Sequence, residues 1–506
     1  MRGRAGCTSS AGGVFRVAHG KQEIENLFRQ NLDAGRFLND PVLAQTLAGN
    51  SWRALQEIQQ FGVKLSAEKN KLSVIADRPP AGSAVSKALA DFATQTGVNF
   101  LEHAMSTHLT VSNGRCEGAF FLTKKTGAKV AVTAKATVLA TGGYAALYIR
   151  NDNPPAITGD GLALALEAGA KLQDLEFVQF QPMFTDGGVP SMPILDWLIE
   201  ATKNLVNGGP LVNAAGERFL DRYGLLEKEI LRDTLTVALE REILREESRT
   251  DCVGFDMTSL RKEQIEDALG FEYQRDLVRP FVQALSSKRL HVASFAHYTM
   301  GGVRIDHNCG TSVEGLFAAG EVAGGVHGAN RLGGNALTGA MVFGAIAGRQ
   351  AAEHAQQTKC KTKAQQQYQQ AIKSIERFQR RTAAHQVSPQ VLRAEVRATV
   401  SRFCRPVRSA EELKRGLEEL RKIRKKAASM FASDPLELQT AIESVFMLRI
   451  AQLIMESALA RRESRGSHFR MDYPTSGGKD WLKNTIVEKE DGKIALHLEP
   501  VRVADS

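Results

Sequence analysis

No two of the six cysteines in this 506-residue chain stand in a Cys-x-x-Cys pair. Cys7, Cys116, Cys252, Cys309, Cys360 and Cys404 are scattered, which argues against a zinc site or an iron–sulfur cluster held by this chain, so no metal ligands are expected. Scattered thiols also fit a reducing, cytoplasmic setting. No apolar run approaches the roughly twenty residues of a membrane span. The N-terminal Met1-Arg-Gly-Arg-Ala-Gly-Cys7 lacks the apolar core of a secretory signal. Aromatics are few, at 7%. The net charge of +9 gathers in the C-terminal third, at Lys414, Arg415, Arg421, Lys422, Arg424, Lys425 and Lys426, but Glu411, Glu412, Glu418 and Glu419 are interleaved with it. That pattern speaks against a nucleic-acid partner and for either a solvated helix face or a dock for an acidic protein. There is no repeat and no low-complexity tract.

What remains is a globular composition, 43% hydrophobic and 24% charged, on a chain long enough for roughly two or three cores. Residues 21–62 read as two amphipathic helices, the second opened by Asp40-Pro41. Another helix is expected over 82–96, closed by Gly97. From 98 to 140 the pattern turns to strands (Phe100-Leu101, Leu109-Thr-Val, Gly118-Ala-Phe-Phe-Leu, Ala131-Val-Thr), with turns at Asn113-Gly114 and Thr126-Gly127. Ala136-Thr-Val-Leu-Ala-Thr-Gly-Gly143 reads as a buried strand that meets glycines, where a sheet can touch a cofactor. Thr158-Gly-Asp-Gly161 opens a helix that runs to about Ala168 and stops at Gly169. Helical signals dominate 351–462, and a polar tail ends the chain.

Two glycine-rich segments carry the most chemistry: Gly315-Leu-Phe-Ala-Ala-Gly320-Glu321 and His327-Gly-Ala-Asn-Arg331-Leu-Gly-Gly-Asn335. Small residues let the backbone approach a flat or phosphorylated ligand and bond it through N–H groups. An arginine among them offers a permanent fork of donors to a carboxylate. Taken alone, His297 reads as a core histidine bonding backbone, Arg232 beside Asp233 as a structural ion pair, and Arg331 as a carboxylate ligand or a bridge between domains.

These segments resemble the C-terminal FAD-contacting part of the fumarate reductase/succinate dehydrogenase flavoprotein family, which includes L-aspartate oxidase. Further landmarks follow in the family's order: Ala140-Thr-Gly-Gly143, Thr158-Gly-Asp-Gly161, Glu176-Phe-Val-Gln-Phe180, Gly216-Glu-Arg-Phe219, Asp221-Arg-Tyr223, Arg232-Asp233, His297-Tyr-Thr-Met-Gly-Gly302, Arg462-Glu-Ser-Arg-Gly466 and Arg470-Met-Asp-Tyr-Pro474. The resemblance implies an α/β fold. A Rossmann-like FAD-binding domain in two parts (1–175 and 297–350) would carry an inserted α+β capping domain (176–296), followed by a helical domain (351–470) and a tail (471–506). It implies FAD held by Thr8, Ala11, Gly12, Gly13, Ala140, Thr141, Gly142, Gly143, Asp160, Gly320, Glu321, Arg331, Asn335, Ala336 and Leu337. It also implies hydride transfer between flavin N5 and a dicarboxylate. Arg232 would be the proton shuttle with Glu200 beside its relay, and His297, Arg331 and Gln181 would face the substrate.

Departures accompany it. Where the family has His-Pro-Thr-Gly, this chain has Gln181-Pro182-Met183-Phe184, and Lys203 takes the place of an arginine after Glu200-Ala201. A glutamine can still donate to a carboxylate but carries no charge, which points toward an unsaturated acid other than fumarate. The family's opening strand and Gly-x-Gly-x-x-Gly, which cradle the pyrophosphate, are absent, a gap of about thirty residues on the scale of one βαβ unit. A misassigned start codon or a truncated relative would explain it; the intact downstream contacts favour the first. No histidine lies near Thr8-Ser9-Ser10, so FAD is expected to be non-covalent. The family often pairs this subunit with an iron–sulfur protein, through which the complex can reach a membrane. L-aspartate oxidase and a truncated, non-catalytic scaffold subunit remain the alternatives.

Overall fold

The computed structural model describes residues 3, 5–68, 71–74, 80–185, 210–225, 230–245, 251–269, 282–359, 365–380 and 386–502. Glu200, Lys203 and Cys360 lie outside them. The chain divides into two compact units, one formed by Met1–Ile149, Asn153–Val178 and Tyr298–Ser506, the other by Arg150–Asp152 and Gln179–His297.

In the larger unit, Asp40 caps the helix Pro41–Gln60: its carboxylate accepts from the Val42 N–H at 2.9 Å and the Leu43 N–H at 3.4 Å, with Pro41 in the first turn. Leu43, Ala44, Leu47, Ala48, Ala54, Leu55 and Ile58 form its buried stripe, which packs on the helix Asn335–Gln357. A three-stranded antiparallel meander runs through Ala104–Ser112, Arg115–Thr123 and Lys129–Thr133. Asn113 and Gly114 both take positive φ in the tight turn between its first two strands. Phe100-Leu101, expected as a strand, is irregular and exposed instead. The strand Thr137–Leu139 pairs in parallel with Leu316–Ala318, and these two form a sheet with no third strand among the described residues.

The polar C-terminal residues do more than trail away. Lys483–Glu490 and Lys493–Pro500 form a hairpin, and the first of these strands joins Leu172–Gln173 within a five-stranded sheet. Thr485, Ile486 and Val487 are buried in succession, so both faces of the strand are covered there, while the hairpin's far ends stay wet. The helices Pro389–Phe403, Ala410–Ala427 and Pro435–Ala460 pack on one another. Leu413, Gly416, Leu417, Leu420 and Ile423 form the buried stripe of the second, leaving its lysines and arginines in solvent. Pro435–Ala460 is long and apolar enough to cross a membrane by length and composition, yet 67% of its most apolar window is buried inside the protein. Within this fold it is a core helix.

A fully buried ionic network ties these parts together. The Arg461 guanidinium donates to Glu176 at 2.6 Å and to Glu463 at 3.0 Å, and lies 3.7 Å from Asp174. Arg408 meets the His468 ring at 2.9 Å and donates to the Glu176 carbonyl at 2.7 Å. Burial, with three arginines nearby, holds His468 well below the usual histidine range.

The smaller unit has a four-stranded sheet in the order Leu211–Val212, Val253–Phe255, Leu290–Thr299, Val178–Phe184. Its core is Phe184, Phe219, Leu235, Leu239, Phe255, Leu285 and Val292. The helix Arg232–Arg245 lies against the last strand, where the Thr236 hydroxyl donates to the Phe180 carbonyl at 3.2 Å.

Candidate active site

Gln181 sits on Val178–Phe184, every residue of which is buried, and His297 sits on Leu290–Thr299. A loop from the distant Arg150–Asp152 stretch is stitched beside the latter: the Ala296 N–H donates to the Arg150 carbonyl at 3.0 Å, and the Asp152 N–H to the Ala296 carbonyl at 3.3 Å. Asp152 is thereby brought to both side chains. Its Oδ2 accepts from Gln181 Nε2 at 2.8 Å and meets His297 Nδ1 at 2.8 Å. A carboxylate oxygen accepts, so in this pairing His297 donates from Nδ1. Asp152 was not among the expected site residues. Its only local signal is Asn151-Asp-Asn-Pro154, which reads as a turn.

Gln181, expected to face the substrate, has its amide nitrogen engaged within its own unit. One of its N–H groups is held by Asp152, and its amide nitrogen also lies 3.8 Å from the Met183 sulfur. Its Oε1 is buried with no hydrogen-bond partner among the described residues. Arg232 opens the helix pinned to Phe180, next to the buried Asp233. Gln181, His297 and Arg232 thus belong to the smaller unit, with the first two joined through Asp152. Arg331 belongs to the larger one.

There the glycine-rich segments converge. Gly143 follows the strand Thr137–Leu139, and a Cβ on it would stand 2.1 Å from Thr299 Oγ1 and 2.4 Å from Glu321 Oε1, so only glycine fits. Glu321 is held in turn by the Thr299 N–H at 2.9 Å and the Thr299 hydroxyl at 3.1 Å. The Arg16 N–H donates to Thr338 at 3.2 Å and its guanidinium to the Gly333 carbonyl at 3.0 Å, which brings the segment after Gly12-Gly13 to the start of Asn335–Gln357. Arg331 is buried, with its guanidinium 4.6 Å from the Tyr298 ring centre. His327, beside Arg331, is pushed down to about 3 by burial first and by that cation second. Asp160, first in the helix Asp160–Glu167, is pushed up to about 6, chiefly by burial.

The residues fit a flavin dinucleotide. Space stands open where Gly12 and Gly333 would carry a side chain. Thr141 Oγ1 and Asn335 Oδ1 are buried with no hydrogen-bond partner among the described residues, and the first turn of Asn335–Gln357 leaves backbone N–H groups for an anion or a ring carbonyl. Thr8 lies in the short helix Cys7–Ser10, and the Ala11 carbonyl accepts from the Gly82 N–H at 2.9 Å. Ala140, Gly142, Gly320, Ala336 and Leu337 complete the expected set, Gly142 and Gly320 both at positive φ.

A cradle of this kind on an α/β fold defines an FAD-dependent oxidoreductase. The FAD binding domain family matches residues 2–337, and the fumarate reductase flavoprotein C-terminal family matches residues 393–506. An uncharacterised FAD-dependent oxidoreductase of Methanocaldococcus jannaschii is 33% identical, over 96% of this chain and 90% of its own. A fumarate reductase (CoM/CoB) subunit of Methanothermobacter marburgensis is 31% identical, over 96% and 91%. Among solved structures, FrdA of the Escherichia coli quinol fumarate reductase superposes with a TM-score of 0.85 at 25% identity, covering 99% of this chain and 91% of that one. The chain belongs to the fumarate reductase/succinate dehydrogenase flavoprotein family, whose members use FAD and act on CH–CH bonds.

Proposed function

We propose that this protein transfers a hydride between its flavin and the carbon–carbon double bond of a small unsaturated acid, either a dicarboxylate or a related compound, as the flavin-bearing subunit of a larger electron-transfer assembly. The observation that carries this reading is the fixing of His297 and Gln181 by one carboxylate oxygen of Asp152. A polar pair locked in that way is organised before any ligand arrives, which lowers the cost of binding and of charge development.

Non-covalently bound FAD would supply the two-electron step, with Thr141, Gly142, Gly143, Gly320, Glu321 and Asn335 as its contacts. His297, when both ring nitrogens carry protons, would donate from Nε2 to a carboxylate oxygen, and the Arg331 guanidinium would pair with a carboxylate. Arg232 would give the proton to the carbon next to the one that takes the hydride. An arginine acts so only where water is excluded and a relay returns the proton, because its pKa is very high. The relatives named as subunits support an electron-transfer partner. The absence of any Cys-x-x-Cys pair in this chain supports placing an iron–sulfur cluster on that partner.

The test is Arg232→Lys in flavin-loaded protein. Turnover of the acid should vanish while binding of the saturated product changes little. Undiminished turnover would remove Arg232 from the proton path.

A further inference from the structure

The orientation of one buried amide says what the far end of the substrate carries. Gln181 is 1% exposed. Asp152 Oδ2 faces its amide at 2.8 Å and also meets His297 Nδ1. Turning the amide over would set two acceptors 2.8 Å apart, a repulsion with nothing to offset it. The amide nitrogen is therefore held toward Asp152 and, at 3.8 Å, the Met183 sulfur. The oxygen is left as a buried acceptor with no hydrogen-bond partner among the described residues. A buried acceptor without a donor is destabilising, and such a group in a native site calls for a ligand that satisfies it.

Resting on the oxidoreductase reading above, we infer that the substrate is an α,β-unsaturated carboxylic acid bearing a neutral hydrogen-bond donor, an amide N–H or a hydroxyl, where a dicarboxylate has its second carboxylate. A second carboxylate would set anionic oxygen against Gln181 Oε1, with neither able to donate. An amide N–H or a hydroxyl donates to that oxygen. The substrate's remaining carboxylate is left to the cationic groups of the site. The reaction itself is unchanged: the double bond takes one hydride and one proton and becomes a single bond, and the reduced flavin is the donor that is oxidised. Met183, where the family has Thr, sets an apolar side chain beside the same amide at 3.8 Å, which suits a neutral group better than an ion.

Flavin-loaded protein, reduced anaerobically with dithionite, is mixed with fumarate, the monoamide of fumarate or 4-hydroxycrotonate while the flavin absorbance is followed. Binding of succinate and of its monoamide to the oxidised protein is measured in parallel. The monoamide or the hydroxy acid should reoxidise the flavin with kcat/KM about ten-fold or more above that of fumarate, and the succinate monoamide should bind tighter than succinate by a similar factor. Gln181→His, which restores a side chain able to donate, should reverse the preference. The hydroxy acid outpacing the monoamide assigns a hydroxyl, and the opposite order assigns an amide. Fumarate turning over as well as either, with succinate binding as well as its monoamide, would overturn the donor assignment and leave the unsaturated-acid reading standing. If none of the acids reoxidised the flavin and none of the saturated analogues bound, the oxidoreductase reading for this substrate class would fail and the donor assignment with it.

Discussion

Asp152→Asn isolates the charge in the Gln181–Asp152–His297 arrangement while keeping its shape. Gln181 and His297 both meet Oδ2 of Asp152, each at 2.8 Å, so an asparagine that puts its single carbonyl oxygen there still accepts from both. Each bond then changes from charge-assisted to neutral. Hydrogen bonds to ionised groups contribute about 1.5–3 kcal/mol and neutral ones about 0.5–1.5, so the loss is roughly 1 kcal/mol per bond and about 2 kcal/mol in all. Converted at about 1.4 kcal/mol per decade, kcat/KM for the unsaturated acid should fall by about 30-fold. The assay is reoxidation of anaerobically reduced flavin, with circular dichroism to show that the fold persists. Asp152→Ala should cost more, because it removes the acceptor shared by the Gln181 amide and the His297 ring. A change of less than about threefold in both variants would refute the view that this carboxylate organises the site.

Other consequences follow from the same structure. Arg461→Met leaves Glu176, Asp174 and Glu463 buried without their shared cation and should cost about 3–5 kcal/mol in urea unfolding; a loss under about 1 kcal/mol would contradict it. His327 stays neutral in the fold until about pH 3 but protonates near 6.5 when unfolded. Its contribution is therefore present above pH 6.5 and is lost as pH falls, by about 2 kcal/mol between pH 7 and 5. His327→Gln should lose less stability over that interval than the parent, and equal losses would refute the assignment. Gly143→Ala drives a methyl into Thr299 and Glu321 and should weaken flavin retention about ten-fold or more through overpacking, read by the flavin-to-protein absorbance ratio. Full flavin content would contradict it.

Local chemistry made much of this readable in the sequence. Asp40-Pro41 announces a helix because capping and a preset φ act within one turn, and Gly169, at a φ of 96°, ends Asp160–Glu167 as a left-handed terminus does. The glycine segments could be tied to a cofactor because the absence of side chains at Gly143 or Gly333 is itself the feature. What could not be read depends on partners far along the chain. Asp152 reaches His297 across 145 residues, and the direction of the Gln181 amide follows only from that encounter. Glu176 and Arg461, apart by 285 positions, look like ordinary surface charges until the fold buries both. The hairpin at 483–500 is polar along much of its length, so its alternation is weak until Leu172–Gln173 gives Ile486 and Val487 something to pair with.

The central claim is that the cradle at Gly12, Thr141–Gly143, Gly320 and Asn335 holds FAD without a covalent bond. It is tested most directly by the absorbance spectrum of the purified protein before and after acid denaturation, with and without added FAD. The expected result is a flavin band that stays with the native protein and is released on denaturation. A colourless protein that takes up no added FAD would contradict it.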